Sequence, residues 1–260
     1  MMFGLLGKDI AYSQSPKIFK QFQLHTGQEL NYQLFDVDPH EISNYVKMLR
    51  NGEIQGLQVT KPYKELIIDY CDMLSLTAQK IGSVNTIYLR NGKIVGDNTD
   101  VYGFEALLKS HQITLKNKNI CMFGNGGAAK SVYYVLKKHG IEPIIFKRAS
   151  SKRTPISKNE YTYEDSNIQS CEIIIQTTSH DFDQNHIQQL KDMSCQPKMV
   201  IDLIYYKKTA LMSIAELSYD GIMMLIHQAI RSYELFTGET MDHASELIKT
   251  IKGVGYKFVD

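Results

Sequence analysis

Four apolar residues, Ile120-Cys121-Met122-Phe123, run directly into Gly124-Asn125-Gly126-Gly127-Ala128-Ala129, and a helical pattern follows from Lys130 to His139. Strand, glycine-rich turn and helix in that order are the setting in which G-x-G-x-x-G/A acts as a dinucleotide fingerprint. Gly124 permits the tight turn. Gly126 lets the backbone approach a pyrophosphate, and Ala129 keeps the helix close to its sheet. The helix N-terminus adds free N–H groups and the positive end of its dipole. The next apolar run, Pro143-Ile144-Ile145-Phe146, would end in Asp or Glu if it bound the ribose 2′-hydroxyl of NAD. It is followed instead by Lys147-Arg148-Ala149-Ser150-Ser151-Lys152-Arg153, with four cations and no acid. A guanidinium matches a phosphate in bidentate geometry, so this loop points to the 2′-phosphate of NADP.

The rest of the chain supplies the units such a turn belongs to. FGLLG, YQLFDV and GLQVT read as strands. Ser15-Pro16 opens a helix, with Ser as cap and Pro at the first position, and Gly27 stops it. A second helix spans Pro39 to Arg50, with Ile42, Val46 and Leu49 on one face. Pro62 reads as the start of another helical stretch. NTIYLRNGKIVG is a hairpin turning at Asn91-Gly92. A helix follows Asp100, from Val101 to about His111. A second block begins near Lys118, with further strands at EIIIQ and MVIDLI and a tail read as helices from Leu211 onward. Strands alternating with helices imply βαβ units and parallel sheets. The expected fold is therefore α/β in two domains.

Composition excludes several classes of protein. Of 260 residues, 29 are Lys or Arg and 28 are Asp or Glu, so the formal net charge of +1 gives no basis for nucleic-acid binding by bulk charge. No apolar run approaches the ~18 residues of a membrane helix. The N-terminal apolar stretch, broken by Lys8 and Asp9, is no signal peptide. Cys71, Cys121, Cys171 and Cys195 form no C-x-x-C pair and read as buried thiols of a cytoplasmic protein. The eight histidines form no H-x-x-x-H set, so no metal site is expected.

Four polar clusters follow strands in the first block: Ser13-Gln14-Ser15-Pro16, Val59-Thr60-Lys61-Pro62-Tyr63-Lys64, Ser83-Val84-Asn85-Thr86 and Asn98-Thr99-Asp100. They offer hydroxyls, amides, an amine and a carboxylate, an inventory suited to a small, hydroxyl-rich, anionic ligand. A lysine near a carboxylate serves as a general acid or base. These residues resemble the shikimate dehydrogenase family over nearly the whole chain. Its S-x-S-P, N-V-T-x-P-x-K, G-A-V-N-T and N-T-D-x-x-G motifs match Ser13 to Pro16, Gln58 to Lys64, Gly82 to Thr86 and Asn98 to Gly103. Its G-x-G-G-A matches Gly124 to Ala128. Its N-R-T loop is matched in part by Lys147-Arg148-Ala149, its D-x-x-Y by Asp202 to Tyr205, and its M-L-x-x-Q by Met224 to Gln228.

The resemblance implies reversible NADP-linked reduction of 3-dehydroshikimate to shikimate, a step toward chorismate and the aromatic amino acids. It implies a substrate-binding domain of residues 1–101 and 221–260, a Rossmann-like NADP-binding domain of residues 102–220, and a cleft between them. Lys64 and Asp100 would be the catalytic pair. Ser13 and Ser15 would bind the substrate carboxylate. Thr60, Asn85, Tyr205 and Gln228 would join Asp100 in holding ring hydroxyls and carboxylate. Cofactor contacts would come from Gly124, Asn125, Gly126, Gly127, Ala128, Lys147, Arg148, Ser150, Lys152 and Thr177, with Leu203 and Gly221 at the nicotinamide end. The protein would work as a monomer or homodimer on a small molecule. A quinate/shikimate dehydrogenase, an aminoshikimate dehydrogenase and a ligand-binding paralogue remain open. Gln58 stands where the family usually has Asn, Tyr12 where it has His, and Met223 where it has Gly.

Overall fold

A computed structural model describes residues 1–163, 171–192 and 197–253. Cys195 lies outside the described residues. The described chain divides into two compact units, one of Met1–Gly103 with residues 225–253, the other of Phe104–Met224.

The first unit holds β1 (Met2–Gly7), α1 (Ser15–Thr26), β2 (Asn31–Asp36), α2 (Ile42–Arg50), β3 (Gly56–Val59), β4 (Met73–Leu74), α3 (Leu76–Ile81), β5 (Thr86–Arg90) and β6 (Lys93–Asp97). Its six strands run β2-β1-β3-β5-β6-β4. The sheet is mixed, not parallel as expected: β1 pairs in parallel with β2 and β3, whereas β5 is antiparallel to β3 and β6. The hairpin explains the β5–β6 pair. Asn91 and Gly92 have φ of 52° and 71°, the left-handed pair a two-residue turn requires, and such a turn returns the chain antiparallel. Strand β3 lies between two neighbours and is buried along its length, which is why GLQV reads as a short central strand. Leu6, Ile42, Val46, Leu49, Leu57, Val59 and Ile87 join one core.

Two local expectations give way in this unit. The N-cap of α1 is Gln14, with no side-chain cap bond, and Ser15 is the first helical residue, with Pro16 in the first turn. Pro62 follows a cis peptide bond and sits in a turn; the helical stretch begins later, as a 3-10 turn over Leu66–Tyr70.

The second unit contains β7 (Ile120–Phe123), α5 (Gly127–Lys138), β8 (Ile144–Lys147), β9 (Glu160–Thr162), β10 (Ile173–Gln176), α6 (Gln184–Asp192), β11 (Met199–Asp202) and β12 (Leu217–Asp220). Helix α4 (Asp100–Ser110) begins in the first unit and continues in the second, and α7 (Ile222–Thr237) leads back to the first, where α8 (Ala244–Gly253) follows. The six strands are parallel in the order β12-β11-β10-β7-β8-β9. The order reverses between β7 and β10, so the topological switch point lies at their carboxyl ends. Phe123, Phe146, Ile174, Val200 and Leu211 build the core. Strand β12 corrects the reading of the tail as all helix. It is a half-exposed edge strand, and its pairing with β11 supplies what its polar LSYD sequence lacks.

Candidate active site

Lys64 is fixed by its backbone. The chain leaves β3, the Tyr63 amide donates to the Thr60 carbonyl, and Val84 donates to the Lys64 carbonyl at 2.8 Å. Tyr63 is buried, with its hydroxyl donating to the Val37 carbonyl at 2.6 Å. The Lys64 side chain therefore projects toward the start of α4. Its Nζ donates to Asp100 Oδ2 at 2.5 Å. Side-chain exposure is 16% for the lysine and 9% for the carboxylate, a setting in which charges are screened far less than on the surface.

A buried polar cluster surrounds this pair. Asn85 Nδ2 donates to Asp100 Oδ1 at 2.9 Å and to Thr99 Oγ1 at 3.0 Å. Asn85 Oδ1 accepts the Thr99 amide at 2.7 Å and the Thr86 hydroxyl at 3.1 Å. Asn98 Nδ2 donates to the Ser83 carbonyl at 2.8 Å, pinning the turn before α4. Ser232 Oγ lies 2.9 Å from Thr86 Oγ1 and 3.1 Å from Thr99 Oγ1. Gln228, one helical turn earlier, directs its Oε1 to Gln58 Nε2 at 2.8 Å. Three of the four sequence clusters thus meet at the Asp100 carboxylate, and the Gln228 helix joins them through Asn85 and Thr99.

The fourth cluster forms a hydroxyl pair. Ser13 Oγ donates to Ser15 Oγ at 3.2 Å. Next to it, Tyr12 is shifted upward in pKa by burial, against the opposing charge of Lys64, and Lys61 Nζ sits 5.2 Å from the Tyr12 ring centroid. Thr60 is half-buried, with its methyl against Gly7. The sequence motifs include Thr86 and Thr99 but not Tyr32 or Ser232. The i,i+4 spacing of Gln228 and Ser232 was the available signal.

In the second unit, Gly124 has φ of 110°, and a Cβ there would come within 2.5 Å of Thr177 Oγ1. Only glycine combines that dihedral with that approach. A Cβ on Gly126 would meet nothing within 4 Å, so the turn is open at that position. Gly127 and Ala128 open α5, and Ala129 is buried beneath it. Asn125 is buried, with its Oδ1 accepting from Ser151 Oγ at 3.0 Å and its Nδ2 without a partner. Thr177 Oγ1 donates to the Phe123 carbonyl at 2.6 Å, tying the ends of β7 and β10 together. An open glycine turn on a helix N-terminus, with an orphaned amide beside it, fits a dinucleotide phosphate.

The basic loop divides by partner. Lys147 is only 18% exposed and lies 3.0 Å from Glu160 on β9, so an acid that the local sequence did not reveal already neutralises it. Arg148, Ser150 and Lys152 are exposed. Ser151, adjacent to the expected Ser150, is the hydroxyl bonded to the glycine turn. Leu203 and Gly221 come together: a Cβ on Gly221 would fall 2.3 Å from the Leu203 carbonyl oxygen. Tyr205 is half-buried, edge-on to Tyr206. Asp202, fully buried, accepts from the Ile204 amide at 2.9 Å and from Thr209 Oγ1 at 2.6 Å, and burial pushes its carboxyl up to about 6. Among the described residues no group of three His, Cys, Asp or Glu could hold a metal ion, and no helix is long and apolar enough to cross a membrane.

A parallel sheet with this strand order and glycine turn defines a dinucleotide-binding α/β unit of the Rossmann type. Residues 5–87 match the model of the shikimate dehydrogenase substrate binding domain, and residues 221–245 that of the shikimate 5'-dehydrogenase C-terminal domain. The shikimate dehydrogenase (NADP(+)) of Clostridium beijerinckii is 33% identical over 254 residues, covering 93% of each chain. Shikimate dehydrogenase 1 of Peptoclostridium difficile superposes with a TM-score of 0.86 at 28% identity, over 100% of this chain and 99% of that one. A shikimate dehydrogenase solved in complex with NADP+ superposes at 0.79 with 27% identity, over 96% and 95%. The chain belongs to the shikimate dehydrogenase family.

Proposed function

We propose that this chain catalyses the reversible, NADP-dependent reduction of 3-dehydroshikimate to shikimate, with Lys64 as general acid and base. The observation that carries the reading is the Lys64–Asp100 contact at 2.5 Å inside the buried cluster of amides and hydroxyls. Family membership, and the activity named for the Clostridium beijerinckii relative, supply the substrate. The NADP+ complex of the relative at 27% identity supports the cofactor.

Residues 1–101 and 221–260 form the substrate-binding and catalytic domain in this reading, and residues 102–220 the NADP-binding domain. Bound NADPH supplies hydride to the ring carbonyl. As negative charge builds on that carbonyl oxygen, the Lys64 ammonium stabilises it and delivers a proton. Asp100 holds the ammonium in place and accepts from a substrate hydroxyl with its remaining lone pairs. In the reverse direction, neutral Lys64 takes the hydroxyl proton. Asn85 fixes the second oxygen of Asp100, so the carboxylate presents one geometry to both partners. Ser13 and Ser15 donate to the substrate carboxylate, while Thr60, Gln228 and Tyr205 hold its remaining oxygens. Gly124, Asn125, Gly126, Gly127, Ala128 and Thr177 receive the pyrophosphate, Arg148, Ser150 and Lys152 the 2′-phosphate, and Leu203 and Gly221 the nicotinamide end. Lys147 supports that loop through Glu160.

The protein acts on its small-molecule substrate as a monomer or homodimer in the cytoplasm, where the free thiols of Cys71, Cys121 and Cys171 persist. Purified protein should reduce NADP+ with shikimate, read at the nicotinamide absorbance, and show less activity with quinate. Absence of turnover with shikimate overturns the proposal, and preference for quinate moves it to the neighbouring activity.

A further inference from the structure

The polar cluster beneath Lys64 contains a chain of groups that the proton transfer does not use. Gln58 is 2% exposed. Its Nε2 donates to Gln228 Oε1 at 2.8 Å and to Ser232 Oγ at 3.2 Å, while its Oε1 accepts from the Tyr32 hydroxyl at 2.6 Å. Both ends of this amide are engaged within the protein.

The direction of the chain is set from one end. Gln228 Nε2 donates to the Leu225 carbonyl at 2.9 Å, and a carbonyl only accepts, so that end of the Gln228 amide is nitrogen. Its oxygen therefore faces Gln58, which must answer with its own nitrogen. The Gln58 oxygen then faces Tyr32, whose hydroxyl must donate. Gln228 Oε1 also lies 3.4 Å from Thr99 Oγ1 and 3.5 Å from Asn85 Nδ2. With the oxygen turned toward these donors, the second N–H of Gln228 is the group left to meet a ligand.

We infer that Tyr32 and Gln58 are positioning residues, which through the Tyr32–Gln58–Gln228 chain hold the Gln228 amide with an N–H toward the substrate, selecting an oxygen that accepts a hydrogen bond there. The inference rests on the reading that Gln228 binds substrate. The Gln58 amide is what links Tyr32 to the site.

Steady-state kinetics with shikimate and NADP+ test this in Tyr32→Phe, Gln58→Leu, Gln228→Leu and the Gln58→Leu/Gln228→Leu double variant. Tyr32→Phe should raise the shikimate KM by roughly 2- to 12-fold, the range set by one neutral hydrogen bond, with kcat and the NADP+ KM unchanged. Gln58→Leu should raise the shikimate KM at least as far and add nothing in the Gln228→Leu background. A fall in kcat alone, an equal rise in both KM values, or multiplied effects in the double variant overturns the inference. The side-chain amide resonances of Gln228 report on the same chain without turnover: they should move in Tyr32→Phe, and unmoved resonances overturn it. A wild-type protein inert toward shikimate sinks the substrate reading, while those resonances still decide the network.

Discussion

Among the described residues the ammonium of Lys64 has one charged partner, and that partner has a second donor on its other oxygen. Asp100 is thus held from two sides, by Lys64 Nζ and by Asn85 Nδ2. In the proposed mechanism Lys64→Ala removes the proton donor, and it should lower kcat by ~10²–10⁴-fold, the usual range for general acid catalysis, with a small effect on the NADP+ KM. Turnover within a few-fold of wild type would remove Lys64 from the mechanism. The cations of the second unit differ among themselves. Arg148 is exposed, whereas Lys147 faces Glu160 at 3.0 Å. Arg148→Ala should therefore weaken NADP+ much more than NAD+ in kcat/KM, and Lys147→Ala should shift that ratio little. Equal losses for both cofactors in Arg148→Ala would refute the 2′-phosphate assignment.

At the scale of elements, the loop after β11 hangs on one buried carboxylate. Asp202 caps the Ile204 amide and the Thr209 hydroxyl, yet burial raises its carboxyl from 3.8 to about 6. The folded chain binds this proton more tightly than the unfolded one. Its contribution to stability is full below 3.8 and is lost as pH rises through about 6, then stays level. A shift of about two units sets an upper bound of roughly 3 kcal/mol on that change. Asp202→Asn keeps an acceptor for Ile204 and removes the titration. The gap in unfolding free energy between wild type and variant should therefore favour wild type more at pH 4 than at pH 7, and a pH-independent gap would refute the assignment. Legibility in the sequence follows the same division between local and tertiary causes. The Asn91-Gly92 turn and the Gly124 turn were readable because each residue type answers a local dihedral demand. Strand β12 was not, since its pairing with β11 overrides its polar local sequence. Motif order singled out Lys64, Asn85 and Asp100, which meet in the structure, but not the partners that only tertiary packing brings in. Ser232 meets Thr86 only once α7 packs, and Glu160 meets Lys147 only once β9 pairs with β8.

For the molecule as a whole, ligand linkage connects the reading of the sites to stability. The net charge of +1 provides no general attraction for a polyanion, so preference between two dinucleotides must arise locally. NAD+ and NADP+ share every feature that the glycine turn would recognise and differ in the 2′-phosphate alone. A ligand that binds only the folded state adds RT ln(1 + [L]/Kd), which is about 2.7 kcal/mol at one hundred times Kd. At equal millimolar concentration, NADP+ should raise the unfolding midpoint of the wild-type chain by several degrees more than NAD+. In Arg148→Ala the two shifts should converge, because the shared pyrophosphate contacts remain and the distinguishing one is gone. Raising the salt concentration should narrow the gap in wild type as well, since the contact involves an exposed charge that salt screens. A midpoint that responds equally to both cofactors in the wild-type chain would place cofactor choice outside the loop after β8, whatever the shikimate assay gives.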